Sequence, residues 1–218
     1  MKNNIEEFNK YLKKEDKEKC VFFALKLLKD KDIDVVGLYT KILEPTLNSI
    51  GCEIGEENLC IWKEHVRTSI VRTIIECAFP YVIDERDAKG VLKKNQKVVV
   101  VCPDGEYHEV GARIIADFFT LCGYDTVFVG GSTPKTEFLS VVDSINPCLV
   151  SISVTNYYNL ISAKKTIELL KEKANNKTKI AVGGNAFKNK ENIHKEMGAD
   201  YLMQTFEDIR KVAEGELK

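Results

Sequence analysis

The sequence predicts an α/β protein in two parts. An N-terminal four-helix bundle over residues 1–83 is followed by a five-stranded, parallel, doubly wound sheet over residues 97–218, with a linker at 84–96. Three observations carry this reading. Residues 1–82 space their apolar side chains at helical intervals, and the stretch DERDAKGVLKKNQ that follows is polar. From Lys97 onward, short runs rich in β-branched residues alternate strictly with helical patterns. Strict alternation of this kind is the signature of parallel strands covered by helices on both faces.

In the bundle, Ile5, Phe8 and Leu12 form the stripe of the first helix, and Val21, Phe22, Ala24, Leu25 and Leu28 that of the second. Asp32 or Asp34 can cap a third helix through Val36, Leu38, Ile42 and Leu43, with Pro45 bending or restarting it. The fourth is expected from Glu57 to Tyr81, with Leu59, Trp62, Val66, Ile70 and Ile74 on its buried face and Pro80 limiting its end. In the second part, strands are expected at 98–102, 126–129, 149–153, 180–182 and 201–203. Helices fill 109–122, 135–144, 159–173 and 190–197.

The composition narrows the function. With 32 basic and 33 acidic residues, near-balanced in both halves, the 218-residue chain lacks the basic excess of a dedicated nucleic-acid binder. It has no apolar run long enough to span a membrane and no hydrophobic signal core, so a cytoplasmic location without membrane association is expected. Seven cysteines stand singly, without a C-x-x-C pair, and read as reduced thiols.

In doubly wound sheets, ligands bind beyond the carboxyl ends of the strands. After the first strand comes PDGEYHEVG, residues 103–111, which is neither a dinucleotide fingerprint nor a P-loop. It places one imidazole, His108, at the ligand edge, with Glu106 two residues earlier to fix its tautomer and Gly111 three later. One histidine does not make a zinc site, whereas it suits a metal whose other positions a macrocycle fills. An exposed or capping histidine is the competing reading. Ser153 and Thr155 follow the third strand, and Gly183-Gly184 the fourth. They suit an extended ligand between strands, or equally an N-cap and an ordinary turn.

Together, Glu106-x-His108-x-x-Gly111, Ser153-x-Thr155 and Gly183-Gly184 resemble the cobalamin-binding domain family, whose pattern is D-x-H-x-x-G, S-x-L or S-x-T, and G-G. Thr133-Pro134 after the second strand also fits. The resemblance implies a Rossmann-like domain that binds cobalamin base-off, with His108 on cobalt. Tyr107 lies in the same loop, and the nucleotide tail runs beside Ser153, Thr155 and the paired glycines. Glu in place of the first Asp is similar to the light-responsive, cobalamin-dependent MerR-type repressors. Their helical cap carries W-x9-E-H, here Ile54 followed by Glu64-His65. The resemblance therefore sets Glu64, His65 and Ile54 toward the upper ligand. Ile54 offers no aromatic face to an adenosyl group, so methyl- or hydroxocobalamin should bind at least as well as the adenosyl form.

The expectation drawn from this resemblance is a cobalamin-binding sensor or regulator, with photoreceptor function a variant, acting through a protein partner or homo-oligomerisation. The alternative is a corrinoid carrier that shuttles methyl groups between methyltransferases. A stand-alone unit without a DNA-binding module is expected, with no nucleic-acid partner and no catalysis by itself.

Overall fold

A computed structural model describes residues 2–49, 60–173, 178–189 and 192–215. The chain divides into two compact units, Met1–Glu85 and Arg86–Lys218.

In the first unit, α1 (Lys2–Leu12) buries Phe8 and Leu12, as the spacing predicts. α2 (Lys17–Lys29) is capped by Asp16, whose side chain accepts from the Lys19 N–H. Its buried stripe is Cys20, Ala24, Leu27 and Leu28, so Phe22 of the expected stripe points outward instead. The third helical run comprises α3 (Val35–Gly37), a π-helical stretch Leu38–Leu43 and α4 (Glu44–Ser49). Of the two expected caps, Asp34 is the one used; it accepts from Gly37 N–H at 2.7 Å. The π-helical stretch ends two residues before Pro45, which lacks an N–H for the regular ladder.

α5 (Cys60–Ala88) departs from expectation at both faces and at its end. It buries Ile70, Val71, Ile74, Ile75, Ala78 and Val82, while Trp62 is exposed. Pro80 sits inside the helix rather than at its end. Both Pro80, which has no N–H to offer the Glu76 carbonyl, and Glu76 itself lie on an exposed face open to water. The helix consequently runs into the stretch expected to be linker, and residues 89–96 are the non-helical remainder.

The second unit holds β1 (Lys97–Pro103), β2 (Asp125–Thr133), β3 (Leu149–Ser153), β4 (Lys179–Gly183) and β5 (Tyr201–Leu202). They form a parallel sheet in the order β2-β1-β3-β4-β5. α6 (Val110–Leu121) packs on β1 and β2, and α10 (Phe206–Ala213) packs on α6, with Phe118 edge-on to Phe206. Across the sheet, α7 (Lys135–Ile145) and α8 (Leu160–Lys173) cover Val99, Val101, Val150, Ile152, Ile180 and Val182. Burial on both faces explains the unbroken apolar runs. α9 (Ile193–Glu196) is shorter than the expected helix at 190–197. α10 was not expected, although Thr205 and Asp208 form a capping box at its start.

The strand order puts the topological switch between β1 and β3, because the chain leaves β1 for β2 on one side and returns to β3 on the other. The helices that follow these two strands, α6 and α8, lie on opposite faces of the sheet, and the sheet edge at such a switch point is where doubly wound sheets hold ligands.

Candidate functional site at the switch point

The loop after β1 turns at once. Glu106 N–H donates to Pro103 carbonyl at 2.9 Å, with Gly105 between them at φ +82°. That turn folds the Glu106 carboxylate inward, where its side chain is fully buried, and leaves His108 outward with its side chain 54% exposed.

Five donors converge on the buried carboxylate. Its Oε1 accepts from His108 N–H at 3.0 Å and lies 2.6 Å from His108 Nδ1. Its Oε2 accepts from Thr155 N–H at 3.0 Å, Asn156 N–H at 2.8 Å and Asn159 Nδ2 at 3.0 Å. Burial alone would raise the pKa of Glu106. The bonds from Asn159, from the Asn156 and His108 backbone and from the His108 ring outweigh it and hold the carboxyl below its ordinary value.

An ionised carboxylate can only accept, so Nδ1 of His108 carries a proton, and in the neutral ring Nε2 is the nitrogen with the lone pair. This is the arrangement of a metal-ligating imidazole with its outer-shell partner in place. Among the described residues there is no group of three His, Cys, Asp or Glu side chains that could hold a bare ion. His108 is thus fitted to give one ligand to a metal that brings its others along. Cys102, below the loop, is no rival: burial foremost, and then the Glu106 and Glu109 carboxylates, push its thiol up to about 12.

The structure brings Glu106, His108 and Thr155 together. Ser153 is buried at the end of β3, in register with Gly183. Gly183 and Gly184 have internal reasons to be glycine. A Cβ at Gly183 would collide with the Met203 carbonyl, and one at Gly184, where φ is +102°, with the Val154 carbonyl. Gly111 is the reverse case, since a Cβ there would meet nothing within 4 Å. Tyr107 is 77% exposed. Glu64 and His65 stand on α5 in the other unit, half-buried and exposed respectively, and Ile54 lies outside the described residues.

Sequence reasoning missed Asn156 and Asn159, which reach Glu106 across about 50 positions. Asn159 also donates to the Gly105 carbonyl at 3.2 Å. Its one visible signal was the polar run N-Y-Y-N directly after a strand at the ligand edge.

Residues 96–213 match the B12 binding domain. The chain belongs to this family. It is 23% identical over 185 residues to a corrinoid protein of Desulfitobacterium hafniense, covering 84% of each chain. Its fold is that of the Methanosarcina barkeri monomethylamine corrinoid protein, with TM-score 0.79, 15% identity and 97% of each chain covered. It also resembles the methanol:cobalamin methyltransferase complex of the same organism, with TM-score 0.52, 17% identity, 99% of this chain and 80% of that one. The B12-binding unit is therefore the α/β half, and cobalamin is its cofactor. No described helix is long and apolar enough to cross a membrane.

Proposed function

We propose that the chain is a corrinoid protein of a methyl-transfer system, in which His108 gives its Nε2 to the cobalt of base-off cobalamin. The observation that carries this is the Glu106–His108 pair at the β1/β3 switch point, where a buried carboxylate fixes the tautomer that leaves Nε2 available. Bound cobalamin supplies a metal centre that can take up and release a methyl group. The chain's own part is to hold and orient it. Glu106 positions His108, and Gly111 leaves open space beside the first turn of α6. Tyr107, Ser153, Thr155, Gly183 and Gly184 complete the edge that faces the cofactor. The family resemblance makes Glu64, His65 and Ile54 the candidates for the upper-ligand side.

The sensor or photoreceptor reading that the Glu-type motif suggested gives way here to the carrier. A relative that aligns over 84% of this chain is named a corrinoid protein, and the fold matches both a monomethylamine corrinoid protein and a chain of a methanol:cobalamin methyltransferase complex. A methyltransferase is accordingly the partner. Those neighbours are named for two different methyl donors, a methylamine and methanol, so the donor class stays open to assay.

The test loads the chain with hydroxocobalamin and reduces it. It is then mixed with purified methylamine or methanol methyltransferases and an isotope-labelled methyl donor. Label that travels with the protein-bound corrinoid, and is lost in His108→Ala, supports the carrier. No transfer from any donor, together with a light-driven change in oligomeric state, would restore the sensor reading.

A further inference from the structure

His108 is held from a second side that the cofactor motif does not include. The residue after it, Glu109, occupies the N-cap position of α6, yet its side chain makes no capping bond to the helix. Its carboxylate instead crosses to the end of β2, where Oε2 accepts from Gly131 N–H at 2.7 Å. Two more bonds join the same segments: Ser132 N–H donates to the Glu106 carbonyl at 2.8 Å, and Gly105 N–H donates to Ser132 Oγ at 3.2 Å. The loop that carries His108 is therefore pinned to residues 131–132 on both sides of the histidine, at 105–106 and at 109.

The β2 end is shaped around this contact. A Cβ on Gly130 would sit 3.1 Å from Glu109 Oε2, and one on Gly131 would sit 3.2 Å from it and 3.3 Å from the Glu106 carbonyl. Gly130 has φ +103° and Ser132 φ +48°. Asparagine tolerates the left-handed region, as at Asn146 and Asn189, but serine adopts it at a cost. Such a conformation persists where surrounding bonds over-determine it, and here both the N–H and the hydroxyl of Ser132 are engaged by the histidine loop.

We propose that Glu109, with Ser132, is a positioning residue for the cobalt ligand: it clamps the β1–α6 loop to β2, so that His108 meets the corrinoid in one orientation. This rests on the His108 reading above. It adds a second anchor independent of the Glu106 side chain, which ties the loop to the segment after β3 rather than to β2.

The experiment uses the full chain loaded with cob(II)alamin, and reads the axial-nitrogen splitting in the electron paramagnetic resonance spectrum together with the rate of cofactor release. Glu109→Ala should release cofactor about tenfold faster and show a mixed population with and without axial nitrogen, the fold-change being about 1.4 kcal/mol. Glu109→Gln keeps an acceptor oxygen at the same reach and should restore both readouts. A role in stability alone would lower the melting temperature of Glu109→Ala without touching the splitting. Wild-type splitting and release in Glu109→Ala, or no rescue by Gln, overturns the proposal. Should Glu109→Ala not fold, Ser132→Gly, which accommodates the left-handed backbone and removes the hydroxymethyl side chain that accepts from Gly105, must show the same mixed population or the clamp is refuted. Axial-nitrogen splitting that persists in His108→Ala would instead sink the ligand assignment on which the clamp depends.

Discussion

Replacing Glu106 with Gln changes one oxygen to an amide nitrogen and should disable the metal ligand while nearly preserving shape. Five donors point at the two carboxylate oxygens. Glutamine has one accepting oxygen and a donating NH2, so one end must face donors. Turned toward β3, the NH2 would oppose Thr155, Asn156 and Asn159 together. Turned toward His108, it opposes only the backbone N–H and can donate to Nδ1 if the ring gives up its proton there. The second arrangement wins, and it moves the imidazole proton to Nε2, the atom needed for cobalt. The orphaned His108 N–H costs about 1–3 kcal/mol, and lost charge assistance in the remaining bonds adds roughly 1 kcal/mol. Thermal unfolding should therefore show a loss of about 2–4 kcal/mol. Cobalamin affinity should fall by roughly 10–100-fold, the usual cost of removing an outer-shell partner, and the histidine-ligated spectrum should go with it. The pH dependence follows from the lowered pKa of Glu106. The stabilisation is full above the ordinary value of 4.5 and is lost as pH falls through the lower folded-state value. The gap between wild type and Glu106→Gln should be constant at neutral pH and narrow as the pH falls from 4.5 toward the lower folded-state value. Binding within about threefold of wild type, with an unchanged histidine-ligated spectrum, would refute this tautomer argument.

Asn159→Asp sets a second carboxylate against Glu106, so urea unfolding at neutral pH should show it less stable than Asn159→Ala by about 1 kcal/mol or more, with the difference shrinking as pH is lowered. Equal stability at all pH values would mean Asn159 does not face Glu106. Gly183→Ala drives a methyl group into the Met203 carbonyl, backbone that cannot step aside, and should cost about 3 kcal/mol or abolish soluble expression, whereas Gly111→Ala should leave the melting temperature unchanged or slightly raised and weaken only cobalamin binding. Loss of stability in Gly111→Ala would show that the chain fills that space itself. Pro80→Ala returns an N–H to the ladder of α5 and should stabilise the protein by about 1–2 kcal/mol after the entropy of the unfolded chain is counted, checked by chemical denaturation.

What the sequence made legible divides along physical lines. Strands such as Leu149–Ser153 were readable to the residue because burial on both faces forces an unbroken apolar run, and the histidine loop was readable because its chemistry is compressed into six positions. Pro80 misled because a local rule assumes the freed carbonyl has no partner, while on an exposed helix face it is open to solvent. Phe22 and Trp62 misled because periodicity marks which residues could be buried and not which face packing chooses. Asn159, Glu109 and Ser132 were invisible for another reason: their partners lie 22 to 54 residues away, joined only when the sheet closes. The motif pointed to His108 as the proposed ligand; the fold shows which groups hold its loop.

The central claim is that His108 is the lower ligand of cobalt, and one measurement addresses it without relying on activity. The full chain, expressed with histidine labelled by the heavy nitrogen isotope, is loaded with cob(II)alamin and examined by electron paramagnetic resonance. The account predicts that the axial-nitrogen triplet of unlabelled protein becomes a doublet on labelling and vanishes in His108→Ala. A triplet unaffected by the label would mean that the cofactor keeps its own base on cobalt, and a doublet that survives His108→Ala would assign the ligand to another histidine. Either result would contradict the account.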